Sequence, residues 1–236
     1  MDARIGGART EARRFRDRRE AGRVLAERLA EHLEPPERLV VLALARGGVP
    51  VADEVAARLD APLDVFVARK IGAPGPEELG IGAIAEGSDQ VVLTALAREL
   101  HLGPGTFPTL VRREAGEMLR RVERYRGGRP PLPGIGVRGN DVVLVDDGLA
   151  TGVTAEAALR SLRQQAPRRL VLAVPVCASE TRRRLVDEGL ADAVFCVVSS
   201  DHMVAVGAWY DDFTQTTDDE VVELLARAHQ RQPPLN

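Results

Sequence analysis

Apolar residues along this chain fall into short, bounded blocks, and their spacing alternates between two periods. Leu39–Val–Val–Leu–Ala–Leu44 is a continuous apolar run, as expected of a strand buried on both faces. Leu63 to Ala68, Asp141 to Asp146, Arg169 to Val176 and Ala193 to Val198 repeat that character. Between these blocks the apolar positions recur at helical spacing. From Asp17 to Leu33 they are Ala21, Val24, Leu25, Ala26, Leu29 and Leu33, and Pro35–Pro36 ends the run. Further helices are predicted from Pro50 to about Leu59, Thr94 to Leu102, Thr109 to Arg126, Val153 to Gln165, Ser179 to Glu188 and Glu220 to Ala228. Gly80 to Leu93 reads as two short strands around Glu86–Gly–Ser–Asp89, and Ile71 to Leu79, rich in Gly and Pro, reads as a loop. Strand–helix alternation predicts an α/β fold, a parallel twisted sheet with helices on both faces. The expected organisation is one domain over 1–236, with a lid or hood at about 70–93 and a helical insertion at about 94–128.

Composition narrows the function classes. The chain has 236 residues, 44% of them hydrophobic and 28% charged, enough for a sizeable core. A formal charge of -3 argues against a dedicated nucleic-acid binder, and no apolar run approaches the ~20 residues of a membrane span. The Arg-rich N-terminus lacks the apolar stretch of a secretory signal. Cys177 and Cys196 sit in apolar stretches and read as reduced thiols, which suits the cytoplasm. The four histidines are scattered, without metal-ligand spacing. Gly134–Ile–Gly–Val–Arg–Gly139 matches GxGxxG but precedes a strand instead of joining strand to helix, so it reads as a loop. Of the 32 basic residues only Lys70 is a lysine, an asymmetry that invites an explanation.

The segment that carries chemistry is Val142–Val–Leu–Val–Asp–Asp–Gly–Leu–Ala–Thr–Gly–Val–Thr154. A buried strand ends in two carboxylates, then a loop of small residues with two hydroxyls enters a helix. Ligands of open α/β sheets sit beyond the carboxyl ends of strands. A loop running into a helix N-terminus offers backbone N–H groups to an anion. Acceptor-only carboxylates such as Asp146 and Asp147 suit the hydroxyls of a sugar or the waters of a magnesium ion. A phosphorylated sugar fits this combination better than a plain strand-end turn does. Two further patches follow strand ends: Ala45–Arg46–Gly47–Gly48, and Val67–Ala–Arg69–Lys70–Ile–Gly72.

The first of these segments resembles the phosphoribosyl pyrophosphate (PRPP) signature of type I phosphoribosyltransferases. The whole stretch from about Phe15 to Val222 resembles a group of stand-alone phosphoribosyltransferase-like proteins, through Ala45–Arg–Gly–Gly48, Arg69–Lys–Ile–Gly72, Gly82–Ala–Ile84, Tyr125–Arg–Gly–Gly–Arg–Pro130 and Val206–Gly–Ala–Trp–Tyr210 with Phe213. The resemblance implies that Asp146 and Asp147 hold the ribose hydroxyls and that Asp147, Gly148, Leu149, Ala150, Thr151, Gly152, Val153 and Thr154 wrap the 5′-phosphate. It places pyrophosphate at Ala45, Arg46 and Gly47, on a loop that often contains an unusual, sometimes cis, peptide, and at Arg69 and Lys70, ahead of a covering loop. Arg46 and Lys70 are the expected catalytic cations, and magnesium the expected cofactor, bound with PRPP. The implied reaction transfers a 5-phosphoribosyl group to a nitrogen acceptor, with a nucleobase favoured, and releases pyrophosphate.

Several roles stay open at this level. Ala150 stands where several 6-oxopurine enzymes have an acid, so a carboxylate elsewhere is needed for proton transfer, and Glu86 is the first choice ahead of Glu77 and Glu78. Trp209 is a candidate to stack on the acceptor, while Phe213 reads as packing. Ser199 to Met203, near the expected acceptor site, departs from the group's usual sequence. Asp211 and Asp212 read as a solvated turn ahead of a role in holding magnesium, and Arg13 to Arg19 as a solvated helix face ahead of a role in contacting phosphate. The missing acid also motivates an alternative, a non-catalytic PRPP- or nucleotide-sensing regulator, and more remotely a phosphoribosyl hydrolase. Expected partners are PRPP and a small-molecule acceptor, with room for a homo-oligomer.

Overall fold

The computed structural model describes residues 13–33, 38–74, 79–100, 105–128 and 136–231. Five strands form a fully parallel sheet in the order β2-β1-β6-β7-β8: β1 (Leu39–Leu44), β2 (Leu63–Phe66), β6 (Asp141–Val145), β7 (Arg169–Ala178) and β8 (Ala193–Ser200). Alternate side chains feed two cores. Val41, Ala43, Val65, Val143, Val145, Val171 and Ala173 face one layer, made by α1 (Arg18–Ala30), α2 (Gly48–Arg58), α4 (Thr106–Arg126) and α7 (Asp218–Arg231). Val40, Leu42, Leu44, Val142, Leu144, Leu170 and Leu172 face α5 (Val153–Gln164) and α6 (Ser179–Asp187) on the other side. Burial on both faces is why these strands are continuous apolar runs.

A second, antiparallel sheet of three strands holds β3 (Ala68–Gly72), β4 (Gly80–Ala85) and β5 (Val92–Leu93), followed by the short α3 (Ala95–Glu99). This sheet occupies the expected hood region. Ile71 and Gly72, expected in a loop, instead pair with Gly82 and Gly80. Helix α4 starts at Thr106, three residues before the expected Thr109, with Pro108 inside its first turn. Proline is tolerated there because the first-turn N–H groups have no intrahelical acceptor anyway. Strand β7 runs on to Ala178, past the expected Val176, where Leu149 lies parallel to Cys177. Cys177 is a buried free thiol and Cys196 a half-buried one. Among the described residues no helix is long and apolar enough to cross a membrane.

The strand order positions the site. From β1 the chain turns outward to β2, whereas β6, β7 and β8 build away on the other side. The adjacent carboxyl ends of β1 and β6 therefore form the switch-point crevice in which ligands of open α/β sheets bind.

Candidate active site

At the end of β6, Asp146 and Asp147 leave the sheet side by side. The Asp147 N–H donates to Asp146 Oδ1 at 2.9 Å. Burial, and then the charge of Asp147, push the Asp146 carboxyl well above its ordinary range. Burial also raises Asp147, opposed by the Arg18 guanidinium. Arg18 Nε donates to Asp147 Oδ2 at 2.8 Å and Arg18 Nη1 to the Thr214 carbonyl at 2.7 Å, while the guanidinium stacks 3.9 Å from the centre of the Phe213 ring. The Tyr210 hydroxyl donates to the Asp147 carbonyl at 2.6 Å.

The loop beyond is braced from α6 and from the sheet. Leu149 is buried, its N–H donating to the Val176 carbonyl and its own carbonyl accepting from Ala178 N–H. The Thr181 hydroxyl donates to the Ala150 carbonyl at 2.6 Å. Gly152 has φ +73°, and a Cβ there would fall 2.5 Å from Thr181 Cγ2. Thr151 is exposed, Thr154 half-buried, and Val153 opens α5. Gly148 likewise leaves no room, because a Cβ would fall 2.4 Å from Val206 Cγ1. The result is a fixed backbone arc entering a helix N-terminus, the arrangement that binds a phosphate group.

Across the crevice, β1 ends in a cis Ala45–Arg46 peptide, followed by Gly47. A Cβ on Gly47 would fall 2.1 Å from Asp147 Oδ2, so only glycine lets the two loops meet. Arg46 Nη1 lies 3.5 Å from Asp218 Oδ1, at the start of α7. Arg69 gives Nε and Nη2 to Glu114 Oε2 at 3.0 and 2.6 Å. Lys70 is exposed, with its stem along Gly80, where a Cβ would fall 2.9 Å from Lys70 Cδ. Adjacent residues of a strand point to opposite faces, so Arg69 turns to α4 while Lys70 turns away.

The profile of the phosphoribosyl transferase domain family matches residues 17–212. The chain belongs to this family. A provisionally named phosphoribosyl transferase of Mycobacterium tuberculosis, recorded in two strains, is 46% identical over 215 residues, covering 91% of this chain and 47% of that protein. The chain thus spans about half the length of the curated relatives it matches. A crystal structure of a Thermus thermophilus protein is 46% identical with a TM-score of 0.70, covering 91% of this chain and 98% of that one. The parallel sheet with its antiparallel hood is the phosphoribosyltransferase fold that the sequence predicts.

Two residues of the chain take partners that the sequence does not show. Glu86 accepts Arg126 Nη1 at 2.6 Å and Nη2 at 3.0 Å, and Val67 N–H at 2.8 Å. Arg126 also donates to the Val65 carbonyl at 2.9 Å. Since β2 is an edge strand, this pair caps the polar edge of the sheet. Burial pushes Glu86 up and Arg126 opposes it. Glu86 is therefore engaged in an ion pair at the sheet edge. The second is Arg18, which the sequence assigns to a solvated face and the structure buries against Asp147, with 10% of its side chain exposed. A signal was present: arginine in the first turn of a helix opposes the macrodipole, which calls for a specific partner.

The aromatic expectations divide. Phe213 and Tyr210 pack with ring centres 5.0 Å apart, and Tyr210 with Phe15 at 5.8 Å. Trp209 is half-buried, its carbonyl accepting the Phe15 N–H at 2.8 Å. Asp211 pairs with Arg14 at the surface, and Asp212 accepts from Thr214, as a turn would. Glu77 and Glu78 lie outside the described residues.

Proposed function

We propose that the chain binds PRPP at the β1/β6 switch point and transfers its 5-phosphoribosyl group to a nitrogen acceptor, with a nucleobase favoured, releasing pyrophosphate. The observation that carries this reading is the meeting of Gly47 with Asp147, which joins the carboxylate–phosphate loop to the Arg46 turn in one crevice. In this reading Asp146 and Asp147 accept the ribose hydroxyls, and residues 147–154 hold the 5′-phosphate. Arg46, Arg69 and Lys70 draw charge from the departing pyrophosphate. Because the leaving group carries the charge, positioning and electrostatics suffice for most of the acceleration.

Among the described residues no group of three or more His, Cys, Asp or Glu could cage a metal. Two adjacent carboxylates with a diphosphate ligand do suit magnesium, which keeps several waters and is held by one or two carboxylates plus phosphate oxygens. When bound, magnesium would neutralise charge on the diphosphate. The cytoplasm is the proposed location and nucleotide salvage the proposed context.

The fork of Arg126 on Glu86, together with Ala150, supports one second reading, a PRPP-binding regulator without turnover. Incubation with PRPP, magnesium and a panel of purines, pyrimidines and small amines separates the two. Pyrophosphate release with any acceptor supports the transferase, whereas PRPP binding without release across the panel supports the regulator.

A further inference from the structure

Helix α4 belongs to the segment that the sequence assigns no chemistry, yet its buried residues are Glu114, Met118 and Tyr125, two of them polar. These positions follow one helical stripe facing the sheet. Glu114, 4% exposed, takes the Arg69 fork on Oε2 and Arg113 Nε on Oε1 at 3.1 Å. Near the other end, the Tyr125 hydroxyl donates to Asp218 Oδ1 at 2.6 Å, and Arg120 Nη2 and Arg124 Nη1 reach Oδ2 at 3.1 and 3.4 Å. Burial pushes Asp218 up, but the Tyr125 hydroxyl and the Arg120 guanidinium outweigh it and hold the carboxyl at about 2. It is a fixed carboxylate, and Arg46 lies against it at 3.5 Å.

The distances give the order of control. Asp218 is gripped more closely by Tyr125 and Arg120 than by Arg46, so α4 sets the carboxylate and the carboxylate sets Arg46. A buried acid is costly unless partnered; Glu114 is buried and Asp218 half-buried, and each spends a partner on an arginine, Arg69 in β3 and Arg46 after β1. A guanidinium carries five donors in a rigid fork. One Nη1 on Asp218, or Nε and Nη2 on Glu114, leaves other N–H groups of the same fork for an oxyanion.

We infer that α4 is a positioning element for a diphosphate: through Glu114 on Arg69, and through Tyr125 and Asp218 on Arg46, it presets two guanidiniums for the pyrophosphate end of the ligand. This rests on the pyrophosphate role proposed above for Arg46 and Arg69. Glu114, Tyr125 and Asp218 act through the arginines and touch no substrate.

Calorimetric titration of the full chain with two probes tests it, magnesium pyrophosphate and ribose 5-phosphate. Glu114→Gln and Asp218→Asn are expected to weaken pyrophosphate binding about fivefold or more while ribose 5-phosphate stays within about twofold. In an Arg46→Ala background, Asp218→Asn is expected to add nothing further. Tighter pyrophosphate binding would mean that the carboxylates compete with the ligand, and would overturn the inference. Equal losses on both probes, or full additivity with Arg46→Ala, would reduce α4 to a structural support and overturn it too. If Asp218→Asn does not fold, Tyr125→Phe keeps the charge, removes only the tether, and must show the same selectivity. Wild-type protein that binds ribose 5-phosphate but no pyrophosphate overturns the pyrophosphate reading itself. Wild type that binds both probes, with variants unchanged, overturns only the role of α4.

Discussion

The two sides of the crevice are put together differently. The carboxylate–phosphate side is one continuous run, Asp146 to Thr154, whose geometry is set by its own strand, two glycines and a helix start. The arginine side is an assembly in which Arg46 follows β1, Arg69 and Lys70 stand in β3, and the carboxylates that orient two of them come from α4 and α7. A continuous run places its groups along one stretch of backbone, which Arg18, Tyr210, Thr181 and β7 then brace. An assembled site depends on long side chains, whose positions are only as definite as the groups that hold them.

The largest effect is expected on the continuous side. Asp147→Asn removes an ionised acceptor and leaves Arg18 buried without its charge partner. PRPP affinity is expected to fall by about tenfold to a hundredfold, the usual worth of a hydrogen bond to a charged group. Titration calorimetry reads this directly, and unchanged affinity would remove the sugar-binding assignment. Gly47→Ala tests the junction of the two sides. Its Cβ would displace Asp147, so overpacking of about 1–3 kcal/mol and a matching loss of PRPP affinity are expected. A variant of normal stability and affinity would show that the sides are not in contact in solution.

The pH response separates the sides in another way. Burial raises Asp146 and Asp147 in the folded protein, so the native state binds protons more readily than the unfolded chain. The stability this contributes is present below the ordinary carboxyl value of 3.8 and is lost as pH rises through the raised values. Asp218 runs the other way: held at about 2, it contributes stability above 3.8 that is lost toward acid. Asp146→Asn should therefore flatten the decline in melting temperature from pH 4 toward neutrality, while PRPP binding suffers. An unchanged slope would show that Asp146 ionises freely.

How much of this was legible follows the same division. The parallel sheet was readable because its central strands β1, β6 and β7 are buried on both faces and carry unbroken apolar runs. The carboxylate–phosphate loop was readable because its chemistry is consecutive in sequence. The ion pair of Glu86 was not legible for a physical reason: its partner Arg126 is 40 residues away, and nothing local marks the edge of β2 that both cover. Glu86→Gln is expected to cost roughly 2–3 kcal/mol of unfolding free energy, somewhat under a typical broken buried pair because Asp64 remains 3.9 Å from Arg126. PRPP affinity should stay within about twofold, since the pair sits at the sheet edge. A catalytic Glu86 would give the reverse, a stable protein with lost turnover.

Lys70 gives the subtlest test of the assembled side. Thirty-one basic positions of this chain are arginine, so a lysine in the middle of the hood strand β3 is not a matter of charge. The stem does not discriminate, since an arginine would share its methylenes as far as Cδ, and the difference lies in the head group. The lysine stem runs over Gly80, where even a Cβ would come within 2.9 Å, and its compact ammonium turns to the face opposite Arg69. Arginine carries a wider planar head that cannot rotate donors toward a ligand as an ammonium can. Lys70→Arg is therefore expected to lower turnover several-fold with little change in stability or in ribose 5-phosphate affinity. Wild-type kinetics would show that the arginine side tolerates a change of head group. Its precision would then reside wholly in Arg46 and Arg69, the two cations paired with carboxylates of α7 and α4.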